Sequence, residues 1–383
     1  MRELTIRALF ASEYQQAIDL ADRTFRSNEQ KSMGDAFPHV FSKPLGQGIG
    51  AFDQDRLVSY MGLVPAFIDR KVTQISSYLL GSVCTDIDYR GRGLASKLLA
   101  EVFRHVEEAR ASLLFVSGDR PLYQRANCAA FGSFQECTLI RSGPEFEGVS
   151  HHPNHRWEIR DLNSTDWLTI LKIRKKLASA ISTTPFEWAT LLESEAFSSC
   201  FHAYTRILVA KHNDVVCGYA VVSIPLGHEH LSGTILEWYG DQTCLQHMMI
   251  AAIRRWGLEK LVVYLDESDL FSLDTAFTTV ERRPVKNQGT VAIINAVQLY
   301  EEILPDLISR GYQNDDQLQF HPLNNNTWEI VINNRSWVMS HGELVAFLFD
   351  NQCNGKDWGE EEELLRRVWF PIKLPHLISL HYV

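Results

Sequence analysis

The sequence predicts an α+β protein: two mixed-sheet domains of related pattern, the second lacking the glycine loop of the first, followed by a small α/β domain. Three observations carry this. The chain has 383 residues, which at roughly 150 residues per domain makes two or three cores. A strand, a glycine loop and a strongly amphipathic helix follow one another between Val83 and Val106. The order strand, hairpin, strand, helix, strand then recurs between Trp157 and Leu265 without that loop.

Residues 4–7 read as a strand, and Ala17, Ile18, Ala21 and Phe25 as the apolar face of a helix. The segment from Asn28 to Gly48 is rich in glycine and proline, and long loops of this kind border sites. Residues 49–52 and 57–64 flank a polar turn and make a hairpin. Two further strands are expected near Lys71–Ser77 and Leu79–Thr85. Apolar residues at 94, 95, 98, 99, 102, 103 and 106 give a helix with one wide buried stripe. The run 111–117 is an apolar strand, 118–121 a turn, and 122–126 a short helix. A strand near Gln135–Arg141 is expected to complete the first sheet.

A linker follows from Arg141 to Arg156, and Trp157–Leu162 echoes Leu4–Leu9. Strands at 205–211 and 215–222 repeat the hairpin, and 233–238, a helix near 245–256 and 261–265 repeat the rest. The third unit has a helix near Leu299–Ser309, strands near 317–320, 327–333 and 336–340, and a helix over 341–350. Ser340 and Glu343 have the spacing of a capping box. The expected domains are 1–142, 156–286 and 288–383.

Composition excludes some functions. Hydrophobic residues make up 45% and charged residues 22%, as in ordinary globular protein. No apolar run approaches the ~20 residues of a membrane helix, and the start shows no signal-peptide pattern. A cytoplasmic protein with no membrane partner is expected. Seven cysteines form no Cys-x-x-Cys pair, so reduced thiols are expected, not a disulfide framework or a metal site. His151, His152 and His155 sit in the linker and read as solvated. The net charge of -10 argues against nucleic acid and fits a cationic substrate.

The chemistry concentrates at Arg90-Gly91-Arg92-Gly93-Leu94-Ala95-Ser96. Unpaired N–H groups at a helix start, with the helix dipole, attract anions. Gly91 and Gly93 permit close approach, and Arg90 and Arg92 supply charge and fork geometry, so a diphosphate is the natural tenant. The P-loop pattern is absent, and the dinucleotide pattern fails because Ser96 stands where its third glycine belongs.

Arg90-x-x-Gly93-x-Ala95 sits after the strand Val83-Cys84-Thr85. The long helix, an apolar strand and a tyrosine-bearing turn follow it. This set resembles the coenzyme A pyrophosphate loop of the GCN5-related N-acetyltransferases (GNAT). The three-unit order resembles the Eis-like (enhanced intracellular survival) acetyltransferases, with a degenerate second GNAT-like domain and a third domain similar to sterol carrier proteins. The resemblance implies acetyl-CoA as co-substrate and no metal. Val83, Cys84 and Thr85 would bind pantetheine and the thioester carbonyl, residues 90–96 the pyrophosphate, and Gly118 and Asp119 the coenzyme arm. It also implies a homo-oligomer, and a small-molecule or peptide amine as acceptor.

Direct attack by an amine needs an oxyanion donor, a base and an acid for the leaving thiolate. The resemblance makes Tyr123 the acid, although the stretch to Phe131-Gly132 is longer than the family spacing; the plain reading is a packed tyrosine. It makes the carboxylate of Val383 the base. The stretch Pro371–Val383 is apolar to its last residue, as a buried end would be. A strand packed on the third domain is the plain alternative, and His381 and Glu29 are other bases. Cys84 as an acetyl-enzyme nucleophile has no neighbouring histidine in sequence and reads as a core or lining residue. The rival functions are a non-catalytic acyl-CoA-binding or regulatory protein and a lipid carrier.

Overall fold

The computed structural model describes residues 4–27, 29–142, 157–227, 231–266, 280–313, 318–324, 327–333, 335–350 and 360–383. The linker histidines 151, 152 and 155, with Gln317 and Cys353, lie outside the described residues.

The first unit comprises β1 (Thr5–Ala8), α1 (Tyr14–Phe25), α2 (Met33–Ala36), β2 (Gly48–Asp53), β3 (Arg56–Arg70), β4 (Gln74–Thr85), α3 (Leu94–Glu108), β5 (Leu113–Val116) and α4 (Pro121–Arg125). Strands β1 to β4 pair antiparallel in sequence order, and β5 joins β4 in parallel across the α3 crossover. Helix α3 buries Leu94, Leu98, Leu99, Val102 and Val106 on one face of the sheet. Tyr14, Ala17, Leu20 and Ala21 of α1 belong to the cluster on the other face. The two strands expected over 71–85 are one. The turn falls earlier, where Arg70 N–H donates to Thr73 O at 2.9 Å. Beyond it β4 pairs with β3 from Gln74 onward.

The second unit contains β6 (Phe134–Ile140), β7 (Trp157–Asp161), α5 (Trp167–Arg174), β8 (Ser179–Ile181), α6 (Pro185–Ser194), α7 (Ala196–Cys200), β9 (Ala203–His212), β10 (Val215–Pro225), β11 (Ser232–Tyr239), α8 (Gln242–Trp256), β12 (Lys260–Leu265) and β13 (Val280–Val285). Its sheet runs β13-β6-β12-β11-β10-β9-β7. Strand β6 therefore does not complete the first sheet. It lies antiparallel between β12 and β13, with Cys137 and Leu139 buried in the second unit's core. Its expected place beside β5 is taken by β14 (Thr290–Ile293), whose four residues are all buried. Strand β8 in turn pairs with the end of β3, Ile181 opposite Ile68. Strand exchange thus ties the units together.

The remaining elements are α9 (Ala296–Ser309), a three-stranded sheet of β15 (Leu318–Asn324), β16 (Thr327–Ile332) and β17 (Arg335–Ser340), α10 (His341–Phe349) and α11 (Glu360–Trp369). The Ser340–Glu343 capping box at α10 is formed as the spacing predicts.

From Phe370 the chain crosses all three units. Ile372 N–H donates to Leu348 O at 2.7 Å, and Arg70 reaches Lys373 O at 2.5 Å. Asn287 clamps the next stretch, donating to Pro375 O at 2.9 Å and accepting from Leu377 N–H at 2.8 Å. Ile378 and Leu380 then bury among Trp188, Tyr219 and Leu236 of the second unit. The apolar tail is a connector between cores rather than a strand on the third domain.

Candidate active site

Parallel pairing of β4 with β5 runs only from Ser77 opposite Leu113 to Leu80 opposite Val116. Its last bond is Ser117 N–H to Leu80 O, 3.2 Å. Strand β5 ends there while β4 continues to Thr85, still paired with β3. The register to β3 slips between Tyr60 and Gly62, and Ser82 adopts φ +51°. Such a bulge bends the strand. The β5-facing edge of Gly81–Thr85 is thus left open as one arm of a fork. Val83 and Thr85 are half-buried there, and Cys84 turns into the core at 3% exposure. Burial pushes the Cys84 thiol up to about 12. A thiol held protonated at neutral pH is a poor nucleophile, and Cys84 packs in the core of the first unit.

The loop after β4 is braced from below. Asp86 accepts from Asp88 N–H at 3.2 Å and pairs with Arg56 at 2.7 Å. Tyr89 hydroxyl donates to Asp53 at 2.6 Å. Gly91 (φ +75°) and Gly93 (φ +73°) both occupy the left-handed region that favours glycine. Added Cβ atoms would meet nothing within 4 Å at either one. Helix α3 starts at Gly93 with no side-chain cap, so the first N–H groups from Leu94 through Ala95 and Ser96 are unsatisfied donors. Arg90 donates to Thr85 O at 3.2 Å and Arg92 to Asp88 O at 2.7 Å. Arg92 also lies 4.6 Å over the Tyr89 ring. Both arginines are exposed. A helix start with two glycines, free N–H donors and two exposed arginines suits an anion such as a diphosphate. The corresponding helix of the second unit, α8, begins with Asp241, whose carboxylate accepts from Cys244 N–H at 2.8 Å. That start carries its own anion.

The other arm of the fork is Ser117-Gly118-Asp119. Gly118 O accepts from Thr290 hydroxyl at 3.0 Å, and Asp119 is exposed. Tyr123 lies on α4 at 5% exposure, so close to Gly118 that a Cβ there would stand 3.2 Å from its ring. Burial raises the phenol above its ordinary value, so it is protonated at neutral pH. Tyr123 belongs to the apolar cluster under α3. Val383 packs against the cluster on the opposite face.

Val383 ends at the fork. A Cβ on Gly81 would lie 2.4 Å from its carboxyl carbon. The last three residues, with Leu79, Phe115, Ser117 and Leu377, line a small void between the two arms. They also wall a cavity of about 50 Å³ between the first and second units. Its polar lining includes His39, Glu187 and His381, none of them chosen from the sequence except His381. His39 comes from the long loop segment expected to border a site. Glu187 carries no sequence signal beyond its helix cap. His381 Nε2 lies 2.9 Å from Thr183 hydroxyl, and burial lowers its pKa to about 3. Glu29 and Asp35 are exposed and line neither space.

Residues 5–131 match the family model of the acetyltransferase (GNAT) domain. The first unit therefore carries a GNAT acetyltransferase domain, and that match supports acyl transfer. No curated protein matches the chain in sequence. Among solved structures, a GCN5-related N-acetyltransferase from Anabaena variabilis is similar over 97% of this chain and 99% of its own, at 14% identity and TM-score 0.66. One from Kribbella flavida covers 100% and 98%, at 12% identity and TM-score 0.64. Eis1 from Mycobacterium abscessus covers 91% and 90%, at 11% identity and TM-score 0.59. At these identities the likeness is one of fold.

Proposed function

We propose that the protein transfers the acetyl group of acetyl-CoA to a primary amine by direct attack in a ternary complex. The observation that carries the reading is the fork: an open β4 edge, an empty-walled glycine cradle at one end and the last residue of the chain at the other. In this reading Arg90–Ser96 hold the pyrophosphate, and Gly118 and Asp119 flank the coenzyme arm. The backbone of Val83–Thr85 donates to the thioester oxygen, where negative charge develops. The carboxyl group carried by Val383 takes a proton from the incoming ammonium. The amine lone pair then forms the C–N bond, the C–S bond breaks with its electron pair on sulfur, Tyr123 protonates the thiolate, and the second proton, lost by the acetylated nitrogen, restores the phenol. The second unit acts as a shell that narrows the cleft, and the third unit, sterol-carrier-like in this reading, directs the tail. The boundaries 1–142, 156–286 and 288–383 serve as this functional division, with β6, β8 and β14 exchanged between sheets.

Thiol release from acetyl-CoA against a panel of amines tests this, with Tyr123→Phe as the control. The expected result is turnover in the parent, a kcat lowered ~10²-fold or more in the variant, and unchanged acetyl-CoA affinity. Acetyl-CoA binding without turnover on any amine would replace this reading with a non-catalytic acyl-CoA-binding protein.

A further inference from the structure

We infer that the acceptor presents its amine on a narrow, unbranched alkyl stem that enters the cavity between the first and second units. This inference rests on the acetyltransferase reading and concerns its second substrate. The cavity adjoins Val383, and through it the fork. Its size of about 50 Å³ compares with roughly 10–15 Å³ for one water on the same measure. It therefore takes three or four water-sized groups, whereas pockets for drug-sized ligands measure ~300–1,000 Å³. The end of an aminoalkyl chain fits, and a substituted ring bearing the amine does not.

The walls agree. Phe37, Val64, Leu79, Ile181 and Leu191 supply apolar surface suited to methylene groups. They are held in place: Ile181 is paired to β3, and the tail residue Tyr382 packs against Phe37 (6.5 Å) and Phe197 (5.4 Å). Among the described residues, no lysine or arginine lines the cavity. Among the described residues its one carboxylate side chain is Glu187, whose Oε1 stands 3.6 Å from His39 Nε2. His39 Nδ1 is buried with no hydrogen-bond partner among the described residues. With Nε2–H toward Glu187, Nδ1 is an acceptor in want of a donor. A primary ammonium brings three, and the neighbouring carboxylate balances its charge. Burial holds His39 below its ordinary pKa, so it does not compete as a cation.

The test is steady-state kinetics at saturating acetyl-CoA with n-butylamine, an Nα-blocked lysine, cyclohexylamine and an aminoglycoside. The expected kcat/KM for the first two exceeds that for the ring amines by ~100-fold or more. Leu191→Ala, which widens the wall, narrows that ratio at least tenfold. Glu187→Gln keeps the helix cap and raises the amine KM about tenfold, while acetyl-CoA affinity stays unchanged. Ring amines turned over as well as the straight ones by the parent would overturn the inference and leave the acetyltransferase reading intact. Acetyl-CoA binding with no turnover on any amine would overturn both.

Discussion

Gly81→Ala is the most direct test of the terminal residue, because it leaves the chain end chemically unaltered. A Cβ at Gly81 would lie 2.4 Å from the Val383 carboxyl carbon, 2.7 Å from its Cβ and 3.0 Å from its Cγ2, whereas ordinary contact begins at 3.4 Å. One partner must therefore give by about 1 Å. Gly81 is fixed in an interior strand, opposite Gly62 of β3. Val383 lies outside any strand or helix, so the tail moves. A catalytic group misplaced by ~1 Å costs about 10²-fold in rate. Alanine in a strand is otherwise no worse than glycine, so thermal stability holds. The assay is kcat by thiol release, alongside acetyl-CoA affinity by calorimetry and Tm. A fall of about 10² in kcat with affinity and Tm retained is expected, matched by deletion of Val383. A variant with the parent's kcat and an unchanged fold would refute the idea that the position of Val383 matters.

Three other perturbations follow from the structure. Gly93→Ala places a methyl in the open space of the cradle and forces a left-handed alanine, costing ~1–2 kcal/mol; calorimetry is expected to show acetyl-CoA affinity falling at least tenfold, and an unchanged affinity would remove the pyrophosphate from this loop. His341, His376 and His381 are each depressed by burial, to about 4, 4 and 3. Their folded values lie below the unfolded ~6.5, so their contribution is complete above pH 6.5 and is lost as pH falls toward 4, by up to ~1.4 kcal/mol per pH unit per histidine. Denaturant midpoints measured from pH 7 to 4 check this, and His381→Asn is expected to flatten the slope. Arg174→Met strands the largely covered Glu237, which Arg174 meets at 3.0 Å and Tyr219 at 2.8 Å; a loss of ~3 kcal/mol in urea unfolding is expected, partly recovered by adding Glu237→Gln.

Local features of the first unit were legible because each is written in neighbouring residues. The turn at 53–56, the stripe from Leu94 to Val106 and the paired glycines at 91 and 93 each dictate geometry within a few positions. What could not be read is which sheet a strand joins. Gln135–Arg141 has the alternation of a strand in any sheet, and its burial of Cys137 and Leu139 is set by β12 and β13, over a hundred residues away. The four residues of β14 and three of β8 are too short to stand out as strands. The site divides the same way. The cradle is a contiguous run, whereas His39, Glu187 and Val383 meet only because β8, α6 and the tail cross the first sheet.

The second unit explains how the tail reaches that site. Its strand order β7-β9-β10-β11, antiparallel, then β12 parallel, repeats that of the first sheet. Its parallel pairing is equally brief, from Ser232 opposite Lys260 to Thr234 opposite Val262, so a fork opens here too. The protein fills it with its own groups. Asp241 supplies the anion at the start of α8. His376 stacks on Tyr264 of β12 at 4.3 Å, and Ile378 and Leu380 bury with Leu236 of β11. Filling the second fork removes any competing anion site there. It also ties residues 376–380 to a rigid sheet, which leaves only three residues to the chain end. Three extended residues span at most about 10 Å, too short for Val383 to range beyond the neighbouring fork. The second unit thus sets where Val383 can stand.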